Sequence, residues 1–148
     1  MTERPEFLAA FHFRVEFLDL QGADIDTRFQ SVAGLAATVD TDSVTEGGEN
    51  RFKHQLPKGV SYSDLVLKRG LVASLEVIDW CRRAIDTLEI EPKDVNVSLL
   101  NDEHEPVMTW KIKHAWPKKW SVSDFNAESS AIVIETLEIG YHHYTVSV

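Results

Sequence analysis

The sequence predicts a mainly β protein, a small β-barrel or sandwich of about eight strands with one α-helix. Several short segments alternate apolar and polar residues, which is the pattern of strands with one buried face. One segment, 74–89, instead repeats apolar residues every three or four positions, as an amphipathic helix does. The 148 residues are 43% hydrophobic and 26% charged, with no linker or internal repeat, so we expect a single domain over 1–148.

Alternation in the first half of the chain predicts five strands. It is clearest where Phe13, Val15 and Phe17 share one side of a segment. Gly34 interrupts the second strand, and a Thr- and Val-rich segment follows it. A flexible polar tip separates the third strand from the fourth. The five predicted strands cover residues 11–17, 29–32, 38–44, 51–56 and 61–68.

The helix is predicted by both its apolar stripe and its ends. Ser74 is a suitable N-cap, and Glu76 lies in the first turn, where the helix dipole favours an anion. Pro92 closes the region. The apolar stripe consists of Leu75, Ile78, Cys81, Ala84 or Ile85, and Leu88.

Strand patterns return after the helix. Val95, Val97 and Leu99 alternate with polar residues, and a turn at 101–104 predicts a hairpin whose return strand covers 107–114. A further strand begins near Ser121. The last predicted strand, 131–139, changes its apolar register near Thr136, which predicts a bulge or a bend there.

Residues that carry chemistry occur without catalytic or metal-binding spacing. None of the six histidines forms a helical pair of the zinc-hydrolase kind, and His142 and His143 on a strand would point to opposite faces. The lone Cys81 lies on the apolar stripe and fits a core position. Gly47 and Gly48 lack the Lys-Ser or Lys-Thr of a phosphate loop. We therefore predict no catalytic, metal or cofactor site, and no enzyme.

Charge and hydropathy limit the classes of partner. The formal net charge is −9, which argues against nucleic acid as the main partner because phosphate binding requires positive charge. Apolar runs are far shorter than the roughly 20 residues that span a bilayer, so no membrane anchor is expected. The first five residues lack a secretory signal pattern, and synthesis in the cytosol is expected.

The charges are unevenly distributed along the chain. Residues 51–70 carry five basic and one acidic side chain, and 111–120 carry four basic and none acidic, whereas the remaining segments are acidic. This arrangement is typical of either a solvated basic face or two complementary patches. Complementary patches would let copies of the chain meet head to tail and form rings or stacks.

The order of several short motifs resembles the tail-tube protein family of contractile phage tails and extracellular contractile injection systems. The resemblance spans roughly residues 10 to 140, and it includes an F-x-x-V-x-G-L segment, an L-x-L-K-R-G segment and a helix tryptophan, Trp80. The matching segments are 13–17, 29–35, 46–50, 56–57, 65–70, 95–100, 110, 115–117 and 134–138.

The resemblance implies a structural subunit that needs no cofactor. Six copies would form a ring, and rings would stack into the hollow inner tube of a contractile sheath, with protein cargo in the lumen. The chain would be the tube-initiating or adaptor ring that joins spike to tube, or else the main tube subunit. Its partners would be neighbouring rings, spike, baseplate and sheath proteins. It would be made in the bacterial cytoplasm and assembled into a phage-tail-like particle released from the cell.

The resemblance also predicts subunit-interface residues. The loop 41–58 would reach a neighbouring subunit or ring, and Lys68 and Arg69 would lie on a lip before the helix. The loop residues concerned are Glu46, Gly47, Gly48, Glu49, Asn50, Arg51, Phe52 and Lys53. Further interface candidates are Trp116, Lys118, Lys119 and Trp120.

The alternative function is a monomeric small ligand-binding β-barrel with a central apolar cavity. A core closed by side chains would exclude this alternative. The side chains expected to close it are Phe13, Val15, Phe17, Leu67 and Leu99.

Overall fold

Nine strands and one helix form the part of the chain that the computed structural model describes, residues 12–18, 20, 29–44, 54–71, 75–128 and 131–148. The mainly β class with one helix is confirmed. In chain order the elements are β1 (His12–Phe17), β2 (Ser31–Ala33), β3 (Ala37–Val44), β4 (His54–Tyr62), β5 (Leu65–Gly70), α1 (Leu75–Thr87), β6 (Lys93–Leu100), β7 (Pro106–Val122), β8 (Ile134–Gly140) and β9 (His143–Ser147).

Seven strands form one antiparallel sheet in the order β1-β6-β7-β8-β5-β2, with β9 paired to β7. The 17-residue strand β7 belongs to two layers. Its first half pairs with β6 and β9, and its second half pairs with β8. The two layers, β1-β6-β7-β9 and β7-β8-β5-β2, therefore share one continuous strand.

The core lies between these layers because strands of both contribute buried side chains. Val15 and Ile112 come from one layer, and Leu67 and Ile139 come from the other. Helix α1 packs against β7, and its Trp80 meets the Phe17 ring edge-on at 5.8 Å between centroids. The helix thereby covers one end of the core.

Strand β7 bends where it passes from one layer to the other. His114 has a φ of 53°, which is uncommon for a residue other than glycine. The Asp94 carboxylate accepts hydrogen bonds from the His114 backbone N–H at 3.2 Å and from Lys113 Nζ at 3.3 Å. These bonds also lower the pKa of Asp94, the His114 bond most. A carboxylate on β6 thus holds the bend.

The helix matches its prediction closely at its C-terminal end. It ends at Thr87, and Leu88 has a φ of 55°, the left-handed conformation usual for the residue after a helix. The predicted N-cap, Ser74, lies outside the described residues. Within the described residues, no helix has the length and apolar content needed to cross a bilayer.

The fourth and fifth predicted strands have the wrong boundaries. The fourth was expected to end before Pro57, but β4 continues to Tyr62, because the ladder shifts register beside Pro57. The predicted strand 61–68 is therefore divided between β4 and β5. Between β4 and β5, the backbone of Gly34 (φ 90°) lies against the backbone of Asp64. A Cβ at position 34 would collide with the Asp64 carbonyl oxygen, so this close approach requires glycine.

Two expectations about the last strands are wrong, and one strand is additional to those predicted. Residues 107–114 and the strand near Ser121 form one strand, β7. The bulge predicted near Thr136 is absent from the β5–β8 ladder, and the shift lies instead between Pro117 and Lys119 on β7. Strand β9 was not predicted, because its five residues are too short to show a clear alternation.

Candidate assembly interface

The β3–β4 hairpin is the most exposed element of the described chain. Its two strands pair with each other and with no other described strand. Every described residue from Ala37 to Val44 and from His54 to Ser61 is exposed. Because a two-stranded hairpin is marginally stable by itself in water, this element is suited to packing on another surface.

The first half of the hairpin has one apolar and one polar face. Directly opposed residues of an antiparallel pair share a face, and the faces alternate along each strand. Val39 opposes Val60, and this pair lies on the side of Tyr62. We call this side, formed by Val39 and Val60 together with Ala37, the valine face. On the other side, Ser61 Oγ donates a hydrogen bond to Asp40 Oδ1 at 3.1 Å.

The side chains of the valine face are exposed to solvent where the hairpin extends beyond the rest of the described chain. Val39 and Val60 are 57% and 54% exposed. Beyond the register shift between Asp40 and Thr41, Val44 and Leu56 are also exposed, but on the face of Asp40 and not on the valine face. Exposed aliphatic side chains grouped on one element indicate an interaction surface.

Three tyrosines hold the hairpin base against the rest of the chain. The Tyr62 ring lies 5.0 Å from that of Tyr144 and 5.8 Å from that of Tyr141, between centroids. Burial, followed by the nearby Tyr144, Tyr62 and Asp64, raises the pKa of Tyr141 to about 12, so the Tyr141 hydroxyl keeps its proton at neutral pH. The base is therefore anchored while the strands project.

The predicted loop residues at the hairpin tip lie outside the described residues. This applies to Glu46, Gly47, Gly48, Glu49, Asn50, Arg51, Phe52 and Lys53. The structure does place the two strands that lead to and from this segment, and both belong to the exposed hairpin.

Lys68 and Arg69 point to opposite sides of β5. Lys68 is exposed, whereas Arg69 is 2% exposed and its Nε donates to Glu135 Oε2 at 2.9 Å. Trp120 Nε1 donates to the other carboxylate oxygen of Glu135 at 2.7 Å, and the Arg69 guanidinium lies 4.6 Å above the Phe29 ring. The Arg69 side chain thus contacts its own core, and Lys68 alone presents a charge at the surface.

The remaining interface candidates divide in the same way. Lys118 and Lys119 are exposed, and Lys118 Nζ forms a 2.9 Å ion pair with Asp64. Trp120 is engaged with Glu135 as described above. Trp116 packs so closely on Gly140 that a Cβ there would lie 2.6 Å from the ring. The two lysines therefore remain accessible, and both tryptophans pack within the chain.

A second surface, which the sequence pattern does not indicate, is an open apolar groove of about 420 Å³. It lies between β1 and β2, and its floor comes from β6 and β7. Of the predicted core residues, Val15, Phe17 and Leu67 are buried, whereas Phe13 and Leu99 are half-buried and line this groove. Its lining is Phe13, Gln30, Ser31, Val32, Leu35, Val97, Leu99 and Trp110.

Titratable clusters in the described residues do not form a metal centre. No group of three or more His, Cys, Asp or Glu side chains placed to hold a metal occurs among them. His142 precedes β9, and its ring lies 5.7 Å from that of His143, so these rings are neighbours and not on opposite strand faces as expected. Burial, then Glu135, raises the pKa of the Cys81 thiol to about 12 against the effect of Arg69, which makes it a poor nucleophile.

The fold has two β layers and an exposed hairpin whose strands pair with no other described strand. The class it fits is that of structural tail proteins. The chain belongs to the family of the T4-like virus tail tube protein gp19, whose model matches residues 9–145. The resemblance found in the motif order is confirmed, and with it the structural, non-enzymatic class.

Three solved assemblies contain chains similar to this one. A chain of the six-fold symmetrised anti-feeding prophage baseplate is 28% identical, with a TM-score of 0.82, covering 99% of this chain and 97% of that one. A chain of the PVC sheath-tube complex is 26% identical, with a TM-score of 0.80 and coverage of 95% and 90%. A chain of the PVC sheath/tube terminator is 25% identical, with a TM-score of 0.81 and full coverage of both. No curated protein sequence matches the chain.

Proposed function

We propose that this chain is a ring subunit of the inner tube of a contractile injection system. Six copies form a ring, and the ring initiates the tube at the spike or, alternatively, stacks repeatedly as the main tube. The observation that carries the proposal is the β3–β4 hairpin, which is exposed at every described residue except Tyr62 and extends from an otherwise well-packed body. Similarity to a chain of a six-fold symmetrised baseplate supports six copies.

The hairpin supplies the kind of contact that a ring under mechanical load needs. A contact between two different surfaces of the same chain repeats around an axis and closes a ring. Backbone hydrogen bonds at strand edges can extend such a contact from one copy to the next. The predicted loop residues at the hairpin tip, Glu46 to Lys53, would reach the neighbouring subunit or the next ring.

The partners follow from the position of the ring. The faces of the ring would meet further rings or the spike and baseplate, and its outside would meet the sheath. Sheath-tube and baseplate assemblies hold the similar chains, which supports these partners. We propose that the subunit is made in the bacterial cytoplasm and leaves the cell as part of the assembled particle.

Negative-stain electron microscopy with light scattering on the purified chain tests this function. We expect six-fold rings with a mass six times the subunit's 16.8 kDa. Isolated rings indicate the tube-initiating position, and long tubes indicate the main tube. A chain that remains monomeric at every concentration contradicts the proposal.

Deleting 47–53 tests the loop in the same assay. We expect the deletion variant to remain folded by circular dichroism but to lose rings. A matched variant in which Gly and Ser replace the same seven residues keeps the loop length. Loss of rings in both variants assigns the contact to the loop side chains, and rings in the deletion variant contradict a role of this loop.

A further inference from the structure

We propose that His12 and His104 together bind one divalent late transition-metal ion, Zn²⁺ or Cu²⁺, at the end of the layer formed by β1, β6 and β7. The site has two protein ligands, in agreement with the absence of any group of three or more among the described residues. Water would complete the coordination shell of the ion. Both histidines belong to one chain, so this inference does not depend on the proposed ring.

The pairing of β1 with β6 brings the two histidines together. His12 is the first residue of β1 and lies opposite Leu100, the last residue of β6. The turn that follows Leu100 carries His104, and the centroids of the two imidazole rings lie 5.0 Å apart. Sequence spacing gives no indication of this pair, because it depends on the antiparallel register.

The turn between β6 and β7 is held by its own hydrogen bonds. Asn101 Oδ1 accepts hydrogen bonds from the backbone N–H groups of Glu103 and Glu105, each at 2.9 Å. The His104 N–H donates to the Asn101 carbonyl oxygen at 3.0 Å, and the Asn101 N–H donates to that of Glu105 at 2.9 Å. His104 has a φ of 61° in this turn. These bonds fix the position from which the His104 ring reaches towards β1.

The ring separation matches that of two imidazoles on one ion. With metal–nitrogen bonds of about 2.0–2.1 Å and a ring centroid about 1.1 Å behind each nitrogen, square-planar or tetrahedral angles place the two centroids about 4.5–5.3 Å apart. The pair of His12 and His104 lies within this range. The pairs His114–His142 and His142–His143, at 5.8 and 5.7 Å, lie outside it.

The nitrogens of both rings are available to a ligand. Neither His12 nor His104 forms a hydrogen bond or an ion pair with another described residue, and both are exposed. Rotation about χ2 turns the nitrogens of an imidazole while its centroid stays nearly in place. Each ring can therefore direct a nitrogen towards a shared ion.

The charges around the turn favour a cation. Asp102, Glu103 and Glu105 are exposed and form no ion pair within the described residues. Arg14, on the same face of β1, is neutralised by a 2.7 Å ion pair with Glu16. The resulting negative potential raises the local concentration of divalent cations. Among these, Cu²⁺ should bind most tightly, because affinities of nitrogen sites rise towards copper along the first transition row.

Isothermal titration calorimetry of the tag-free chain with ZnCl₂ and CuCl₂ at pH 7 tests the site. We expect His12→Gln and His104→Gln each to weaken the tightest binding step at least about tenfold, since even an outer-shell partner of a metal contributes that much. The matched control is His142→Gln, which removes the histidine common to the two wider pairs and should leave this step unchanged. All three positions are exposed, and circular dichroism checks that the variants fold.

Pulsed electron paramagnetic resonance of the Cu²⁺ complex counts the ligands directly. The unmodified chain should show two coordinated imidazoles, and His12→Gln and His104→Gln should each show one. Equal affinity in the unmodified chain and His12→Gln, loss of the tightest step in His142→Gln, or a dissociation constant weaker than about 1 mM overturns the inference.

A bound ion would tie β1 to the turn beyond its only described partner strand, β6. Because an ion that binds only the folded state stabilises that state, ZnCl₂ should raise the urea midpoint of the unmodified chain. The same concentration should not raise the midpoint of His12→Gln. An equal rise in both proteins contradicts a site that contains His12, and no result of these titrations bears on ring formation.

Discussion

At the scale of single residues, Arg69 has the charge expected of a subunit-interface residue, but it forms a buried ion pair with Glu135 inside its own chain. Both side chains are nearly fully buried, and Trp120 completes the hydrogen bonding of the carboxylate. Removing one member of such a pair leaves an unbalanced charge in the core, which costs more than the pair itself contributes. The pair therefore fixes how β5 and β8 meet.

Glu135→Ala should lower the free energy of unfolding by about 3–5 kcal/mol, because Arg69 would remain buried without its carboxylate. Urea unfolding followed by tryptophan fluorescence measures this loss. Asp64→Asn is the matched control, since it breaks the exposed pair with Lys118 and should cost less than about 1 kcal/mol. Equal losses in the two variants would contradict the assigned role of the buried pair.

Alternation with the apolar Leu65 and Leu67 already places Arg69 on the buried face of β5 and Lys68 on the other face. The motif resemblance nevertheless predicts both at the surface, because a buried arginine needs a partner of opposite charge. That partner, Glu135, lies 66 positions away and is identified only by the tertiary structure.

At the scale of elements, strand β7 is the member that joins the two layers, and its bend depends on Asp94. The carboxylate holds the His114 backbone and the Lys113 side chain, and these bonds lower its pKa. A group with a lowered pKa in the folded state contributes stability above its unfolded pKa, and this contribution is lost as the pH falls through the folded value.

Asp94→Asn should therefore destabilise the chain at pH 7 and should make little difference at a pH well below the ordinary value of 3.8. Urea midpoints of both proteins, measured from pH 7 down to pH 2.5, check this expectation. The effect is small because the carboxylate is partly exposed. A difference in midpoint that stays constant with pH would show that Asp94 acts through packing and not through its charge.

The pattern of elements was largely predictable, but their ends were not. Alternation located β1 and β6 because each has one buried face, and the helical stripe located α1. The length of β4 and the short β9 depend on ladder partners far away in the chain. The local residue pattern does not identify those partners. The division of 61–68 between two strands and the bend of β7 could therefore not be predicted from the sequence.

At the scale of the whole molecule, the exposed hairpin and the apolar groove come from different parts of the chain. The hairpin was predicted as the interface loop, whereas the groove was not, because Phe13 and Leu99 have the pattern of ordinary core residues. Only the incomplete closure between β1 and β2 reveals the groove. Sequence thus indicates the hairpin, whereas the groove is visible only in the tertiary structure.

Lys68→Glu should weaken ring assembly while leaving the fold unchanged, and the defect should be largest at low ionic strength, because salt screens exposed charges. Sedimentation at about 0.05 M and 0.5 M salt measures the effect. Lys111→Glu, exposed on β7 and outside the predicted interface set, should assemble as the unmodified chain does. Reversing Arg69 as well would unfold the core and is therefore unsuitable as an assembly test.

The burial of Cys81 has a consequence for the redox chemistry of the protein. It is the sole thiol of the sequence, and its pKa of about 12 leaves almost no thiolate at neutral pH. We therefore expect Cys81 to stay reduced and unmodified in reducing and in oxidising solution alike.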